Sequence, residues 1–554
     1  MTIRTFLDAT TAKYPTSTAL CYRRDNEWKK RTYADFEKGI RQIAEIYSKL
    51  GLVPQSAPVA LMLENGPEWM EAYLAAVCCG IVVIPIDPKL RSAEIAHVLN
   101  DSGATLVLTE RTRLDMLEAT LPSTPKVQCV VLADTAETRS LLAGRKCHGY
   151  EALRAQTLSS TPMFFERTRP STDDVASIIY TSGTTGKPKG AMLSHGNFCH
   201  DAVGALAAFN NELYHDDQFL IVLPLFHSFS FTTNLIVPLY LGAQMSFVES
   251  LRTVTDDLKE LQPTILMAVP LLAEKMYAKI QAKLEKSVVA KLMLRSGLGK
   301  VIGRQVLKSL GGKLRTLVVG GAPCPVEVLK AFTRLGVPII EGYGLTECSP
   351  VVSLTTRKDV RIGTIGRPLP CIEVRLADQN EAGVGELQVR GPIVMKGYYN
   401  NPEATAEAFE GDWFRTGDLA IADKDGYLSI CGRKKALIVN REGKNIYPEE
   451  VENAIVGAPC VADVVVIGYR VGKDPGEHVG CIVTPNMDTI LAENGGVEPE
   501  WDDIVAHVRK AIAERCETLA KYKHPRKIAV QRDPLERTSI QKVRRVAYQG
   551  TLNE

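Results

Sequence analysis

What most restricts this chain is a rhythm of short, wholly apolar runs separated by helix-like segments. Pro58-Val59-Ala60-Leu61-Met62 is one such run, residues 80–86 a second and residues 105–108 a third. Between them, residues 67–79 and 92–99 carry helical patterns. Runs that lack polar alternation are buried on both faces, the condition of a strand inside a parallel sheet covered by helices. The rhythm returns at residues 264–269 and 314–319, the latter leading into Gly320-Gly321.

The texture changes after about residue 365. Glu386-Leu387-Gln388-Val389-Arg390 alternates as a half-exposed strand does, and Asp423-Lys424-Asp425-Gly426-Tyr427 is a hairpin-turn signal. Pro448-Glu449-Glu450 opens a helix with proline first and acids in the first turn. Strands follow at 464–467 and 481–483, and Ile504, Val508, Ile512 and Cys516 mark one buried helix face. The expectation is an α/β protein. A large multi-subdomain N-terminal body, residues 1–434, has parallel sheets packed by helices, and a small α+β C-terminal domain occupies residues 435–554.

Composition narrows the function classes. With 66 Lys and Arg against 64 Asp and Glu in 554 residues, the net charge of +2 disfavours nucleic-acid binding by bulk electrostatics. The 13 cysteines are scattered singly except for Cys78-Cys79 and form no C-x-x-C pair. That spacing suits neither a zinc nor a disulfide framework and suits a reduced, cytoplasmic setting. Residues 1–15 carry Arg4, Asp8 and Lys13 and make a poor signal peptide. Residues 218–248 hold no charged side chain, long enough for a membrane span. Pro224, Pro238, His227 and Asn234 interrupt that stretch, so it reads as a buried segment lining an apolar pocket, not a transmembrane one.

The strongest chemical signal is Tyr180-Thr181-Ser182-Gly183-Thr184-Thr185-Gly186-Lys187-Pro188-Lys189-Gly190, directly after the strand-like residues 176–179. Glycines admit backbone N–H groups, hydroxyls donate and lysines neutralise, so the loop suits phosphate. It is no Walker motif, because Pro188 stands where Ser or Thr is required.

This loop resembles the phosphate-binding signature of the acyl-adenylate-forming enzymes, among them acyl-CoA synthetases, peptide-synthetase adenylation domains and luciferases. Further signatures follow in the family's order. Glu341-Gly342-Tyr343-Gly344-Leu345-Thr346-Glu347 resembles Y-G-x-T-E, and Thr416-Gly417-Asp418 the T-G-D motif. Gly432-Arg433-Lys434-Lys435 resembles the hinge, and residues 535–545 the C-terminal segment, with Gln541 where the family most often has glycine. The resemblance spans about residues 32–545.

It implies attack of a carboxylate on the α-phosphorus of ATP, then transfer of the acyl group to a thiol. Two anions must meet, so cations and oriented donors are needed where charge develops. By resemblance, Thr181, Ser182, Gly183, Thr184, Thr185 and Lys189 hold the β- and γ-phosphates. Gly321 and Ala322, with Glu341, Gly342 and Tyr343, form the nucleotide pocket, Tyr343 packing on adenine. Thr346 contacts the α-phosphate, and Glu347 and Thr184 hold Mg²⁺. Asp418 takes the ribose hydroxyls with Arg433 nearby, Lys542 bridges carboxylate and α-phosphate, and Lys435 is the hinge of a mobile C-terminal lid.

Leu223-Pro224-Leu225-Phe226-His227-Ser228-Phe229 resembles the acyl-site segment of fatty acyl-CoA synthetases. His227 stands open there between a gate or carboxylate contact and a satisfied core residue. The wording is closest to medium- and long-chain fatty acid ligases, including bacterial acyl-carrier-protein ligases. Coenzyme A and acyl carrier protein remain the two acceptors, an adenylate-only enzyme a third option and a nucleotide- or acyl-binding pseudoenzyme the rival class. Peripheral membrane contact is compatible with a substrate that partitions into bilayers.

Overall fold

The computed structural model describes residues 1–135, 139–140, 144–157, 163–181, 188–210, 212–285, 299–472, 476–537 and 543–553. Packing divides the chain into two compact units, Met1–Glu373 with Val389–Phe414, and Val374–Gln388 with Arg415–Glu554. This division follows packing, whereas the joint expected at Lys435 is one of rotation.

The first unit holds two large sheets, as the apolar rhythm requires. In one, the order is Lys189–Ser194, Val175–Thr181, Val83–Pro85, Val59–Met62, Leu106–Thr109, Cys129–Leu132, Lys146–Gly149 and Arg139–Ser140. Its interior pairs are parallel and its two ends antiparallel. The other runs Arg367–Pro368, Val351–Leu354, Ile339–Gly344, Thr316–Val319, Ile265–Ala268, Gln218–Ile221, Gln244–Phe247, Thr18–Arg24 and Glu27–Thr32. From Ile339–Gly344 to Thr18–Arg24 all neighbours are parallel, which lines up several strand ends on one edge.

Local chemistry trims the expected elements. The apolar run at 80–86 is a strand only over Val83–Pro85, because Gly80, at φ +72°, closes the preceding helix Pro67–Cys78. Helix Ser92–Ser102 runs three residues beyond its expected end, to Gly103 at φ +70°. The uncharged stretch folds as strand Gln218–Ile221, helix Ser228–Phe231, a π turn Thr232–Ile236, helix Val237–Leu241 and strand Gln244–Phe247. Among the described residues no helix is long and apolar enough to cross a membrane.

In the second unit, Val461–Tyr469 and His478–Pro485 pair antiparallel, and Lys527–Val530 joins the latter in parallel. Helices Pro448–Val456 and Trp501–Cys516 cover them, and Ile504, Val508, Ile512 and Cys516 form the expected buried stripe. One expectation fails. Strand Gly385–Arg390 is buried on both faces, not half-exposed, because its polar side chains are paired inside. Lys434 donates to Glu386 at 2.8 Å and Arg375 to Gln388 at 2.8 Å.

Candidate active site

The two ends of the phosphate-loop signature lie on paired strands. Val175–Thr181 and Lys189–Ser194 are antiparallel, and their last register pair is Thr181 opposite Lys189. Ser182, Gly183, Thr184, Thr185 and Lys187 lie outside the described residues. At the stem, a Cβ on Gly190 would sit 2.6 Å from the Ile178 side chain, so close packing demands glycine there. The Lys189 ammonium lies 5.2 Å from the centre of the Tyr398 ring, a cation–π arrangement.

The residues expected at the nucleotide gather where the parallel pairing of two strands stops, the edge at which open α/β sheets take their ligands. Val319 is in register with Glu341, so Gly320, Gly321 and Ala322 leave their strand beside Glu341, Gly342 and Tyr343. A Cβ on Gly320 would come within 3.2 Å of the Gly342 carbonyl, and Gly321 adopts φ +84°. Burial pushes the Glu341 carboxyl up to about 7, opposed by the Cys324 N–H that favours its anion. Glu341 is therefore as much a donor as an anion near neutrality.

Thr346 and Glu347 occupy the 3₁₀ turn Thr346–Cys348 immediately beyond that strand. The Thr346 hydroxyl lies 3.0 Å from that of Ser228, so the uncharged segment arrives directly against the motif. The Tyr398 hydroxyl donates to Glu347 Oε1 at 2.9 Å, and the Met395 N–H donates to the Glu347 carbonyl at 2.8 Å. Among the described residues Glu347 Oε2 has no hydrogen-bond partner, and no three His, Cys, Asp or Glu side chains converge. A lone carboxylate oxygen of this kind fits Mg²⁺, which Glu347 would hold and which would supply positive charge to phosphate oxygens.

His227 caps the helix Ser228–Phe231, its carbonyl accepting the Phe231 N–H at 2.9 Å. Burial lowers its pKa to about 4 against a weaker opposing pull from Asp87, so the imidazole is neutral at physiological pH. It sits one residue from the Ser228–Thr346 contact but supplies no fixed positive charge for a carboxylate.

The remaining candidates belong to the second unit. Asp418 and Arg433 face each other across a hairpin, with Arg433 Nε 2.8 Å from Asp418 Oδ1 and the Asp418 side chain only 7% exposed. Arg433 Nη1 also donates to the Thr416 carbonyl at 3.0 Å, and Thr416 Oγ1 accepts the Asp418 N–H at 3.0 Å. Arg433 thus holds the carboxylate while Thr416 anchors both the guanidinium and the Asp418 backbone. Lys435 is exposed in the turn Lys434–Ala436. Lys542 lies outside the described residues, while Arg537 and Val543 on either side of it form a bridge.

Two residues escaped the sequence reading. Ser228 lies inside a segment already singled out. Tyr398, in Gly397-Tyr398-Tyr399-Asn400, gave no chemical hint, since its value comes from what it touches.

Residues 7–399 match the AMP-binding enzyme family and residues 450–542 match the AMP-binding enzyme C-terminal domain. The long-chain-fatty-acid–CoA ligase 1 of Cavia porcellus is 32% identical over 501 residues, 84% of this chain and 71% of that protein. A feruloyl-CoA synthase of Amycolatopsis sp is 31% identical over 493 residues, 87% of each chain. The o-succinylbenzoate coenzyme A synthetase of Bacillus subtilis, solved with ATP and magnesium ion, superposes at a TM-score of 0.75 with 24% identity over 98% of both chains.

Proposed function

The chain belongs to the AMP-binding enzyme family and is an acyl-CoA ligase of it, using ATP and coenzyme A; we propose that its acid is a medium- or long-chain fatty acid. The observation that carries the substrate class is the meeting of the largely buried, charge-free segment 218–248 with Thr346 through Ser228. A fatty chain entering along that segment meets no fixed charge, and each buried methylene contributes roughly 0.8 kcal/mol. The neutral His227 suits a site that must release a carboxylate's negative charge to phosphorus instead of trapping it as an ion pair.

The residues divide the work of adenylation. The segment from Thr181 to Lys189 holds the β- and γ-phosphates, and Gly321, Ala322 and Tyr343 form the adenine pocket. Asp418, fixed by Arg433, accepts from the ribose hydroxyls. Thr346 donates to the α-phosphate, where negative charge grows as the carboxylate attacks, and Lys542 neutralises both reacting anions. Mg²⁺ at Glu347 supplies charge stabilisation at the phosphates. Rotation about Lys435 then exchanges the groups facing the adenylate, and the thiol of coenzyme A displaces AMP.

A chain-length series of saturated acids, assayed in parallel with coenzyme A and with acyl carrier protein, tests this. The expected result is a maximum in kcat/KM among medium or long acids with coenzyme A as acceptor. A maximum at ferulate, or turnover restricted to acyl carrier protein, contradicts it.

A further inference from the structure

We propose that helix Ser92–Ser102 is a brace for the nucleotide loop, with His97 and Asp101 as positioning residues that hold its two ends. The proposal rests on the reading that Thr181–Lys189 grips the β- and γ-phosphates of ATP. At the incoming end, the Tyr180 phenol donates to Asp101 Oδ2 at 2.6 Å. At the outgoing end, His97 Nε2 lies 3.1 Å from the Pro188 carbonyl. A carbonyl only accepts, so Nε2 carries the hydrogen. Positions 97 and 101 are one helical turn apart and therefore share a face, which turns one rigid rod into a clamp on both ends of the loop.

The rod itself is fixed. Ile95, Val98 and Leu99 bury its opposite side in the same core as Ile84, Val107 and Ile178 of the eight-stranded sheet. The chain at 396–400 closes the arrangement from elsewhere. The Asn400 amide donates to the Asp101 carbonyl at 3.1 Å, and the Tyr399 N–H donates to the Gly190 carbonyl at 2.7 Å. Burial, reinforced by the Asp101 carboxylate, pushes the Tyr180 phenol's pKa upward, so it stays a donor. Neither His97 nor Asp101 touches the nucleotide pocket formed at Gly320–Tyr343. Their effect is to fix Tyr180 and Pro188, the positions from which the phosphate segment departs and to which it returns, a gain in affinity without a new contact.

The test compares equilibrium affinities for ATP and for AMP in full-length His97→Leu and Asp101→Ala, with His97→Gln and Asp101→Asn as controls that keep the donor and the acceptor. AMP lacks the two phosphates that the braced loop holds. Each lost hydrogen bond should weaken ATP binding about fivefold. AMP affinity, the thermal midpoint and thioester formation from supplied acyl-adenylate should stay near wild type, and the two controls should bind ATP normally. Equal weakening of ATP and AMP, or unchanged ATP affinity in His97→Leu, overturns the brace. Should Asp101→Ala fail to fold, the His97 pair decides alone. Wild-type protein that binds no ATP overturns the phosphate-loop reading together with the brace, whereas wild-type binding with indifferent variants overturns only the brace.

Discussion

Tyr398 brings two residues of the proposed phosphate site to one side chain, its hydroxyl on Glu347 and its ring against Lys189. Hydrogen bonds to a charged group are worth about 1.5–3 kcal/mol when buried, and Tyr398 is only half-buried. Tyr398→Phe should therefore lower kcat/KM for ATP about tenfold and raise the Mg²⁺ concentration needed for half-maximal rate, since Glu347 loses its orientation. An unchanged Mg²⁺ dependence contradicts the link. Lys542→Ala should depress pyrophosphate exchange by at least about 10²-fold yet spare thioester formation from supplied acyl-adenylate. Loss of both, or of neither, contradicts the assigned role. Thr346, Glu347 and Asp418 were legible in the sequence because they stand in motifs that resemble the family's signatures in their usual order. Tyr398 and Ser228 were not, because each acts through a neighbour more than a hundred positions away, or fifty in the case of Tyr398 and Glu347.

Among the elements, the helices Ile3–Lys13 and His195–Ala208 meet through a buried imidazole. The Ile3 N–H donates to His195 Nδ1 at 3.3 Å, so Nδ1 must stay unprotonated. Burial accordingly lowers the His195 pKa from the usual 6.5 to about 4. Between those two pH values the unfolded chain binds the proton and the folded chain does not, so stability falls as pH drops through that window. The loss reaches up to ~3 kcal/mol for this group. His195→Gln keeps an acceptor but cannot be protonated there, so the thermal midpoint of the variant should fall less steeply between pH 6.5 and 4. An unchanged acid slope contradicts the account. Apolar runs such as Val59–Met62 and the stripe from Ile504 to Cys516 were legible because burial alone sets their pattern. Strand Gly385–Arg390 misled because alternation of polar and apolar residues is the same whether the polar groups meet water or meet Lys434 and Arg375.

For the whole molecule, the near-zero net charge of +2 is a sum over unlike regions, with basic groups such as Lys189 and Arg433 at the positions proposed to meet phosphate and ribose. Two half-reactions in one enzyme call for a rearrangement between them, and the hinge proposed at Lys435 falls on an exposed residue of the turn Lys434–Ala436. Proline at 435 fixes φ and should slow the thioester step at least about tenfold while changing adenylation by less than about threefold. Equal slowing of both steps contradicts a hinge. Formation of an acyl-adenylate before any thiol takes part is read from pyrophosphate exchange into ATP without coenzyme A. The expected exchange depends on added fatty acid and is lost without Mg²⁺. Exchange that requires coenzyme A, or none with any fatty acid, contradicts it.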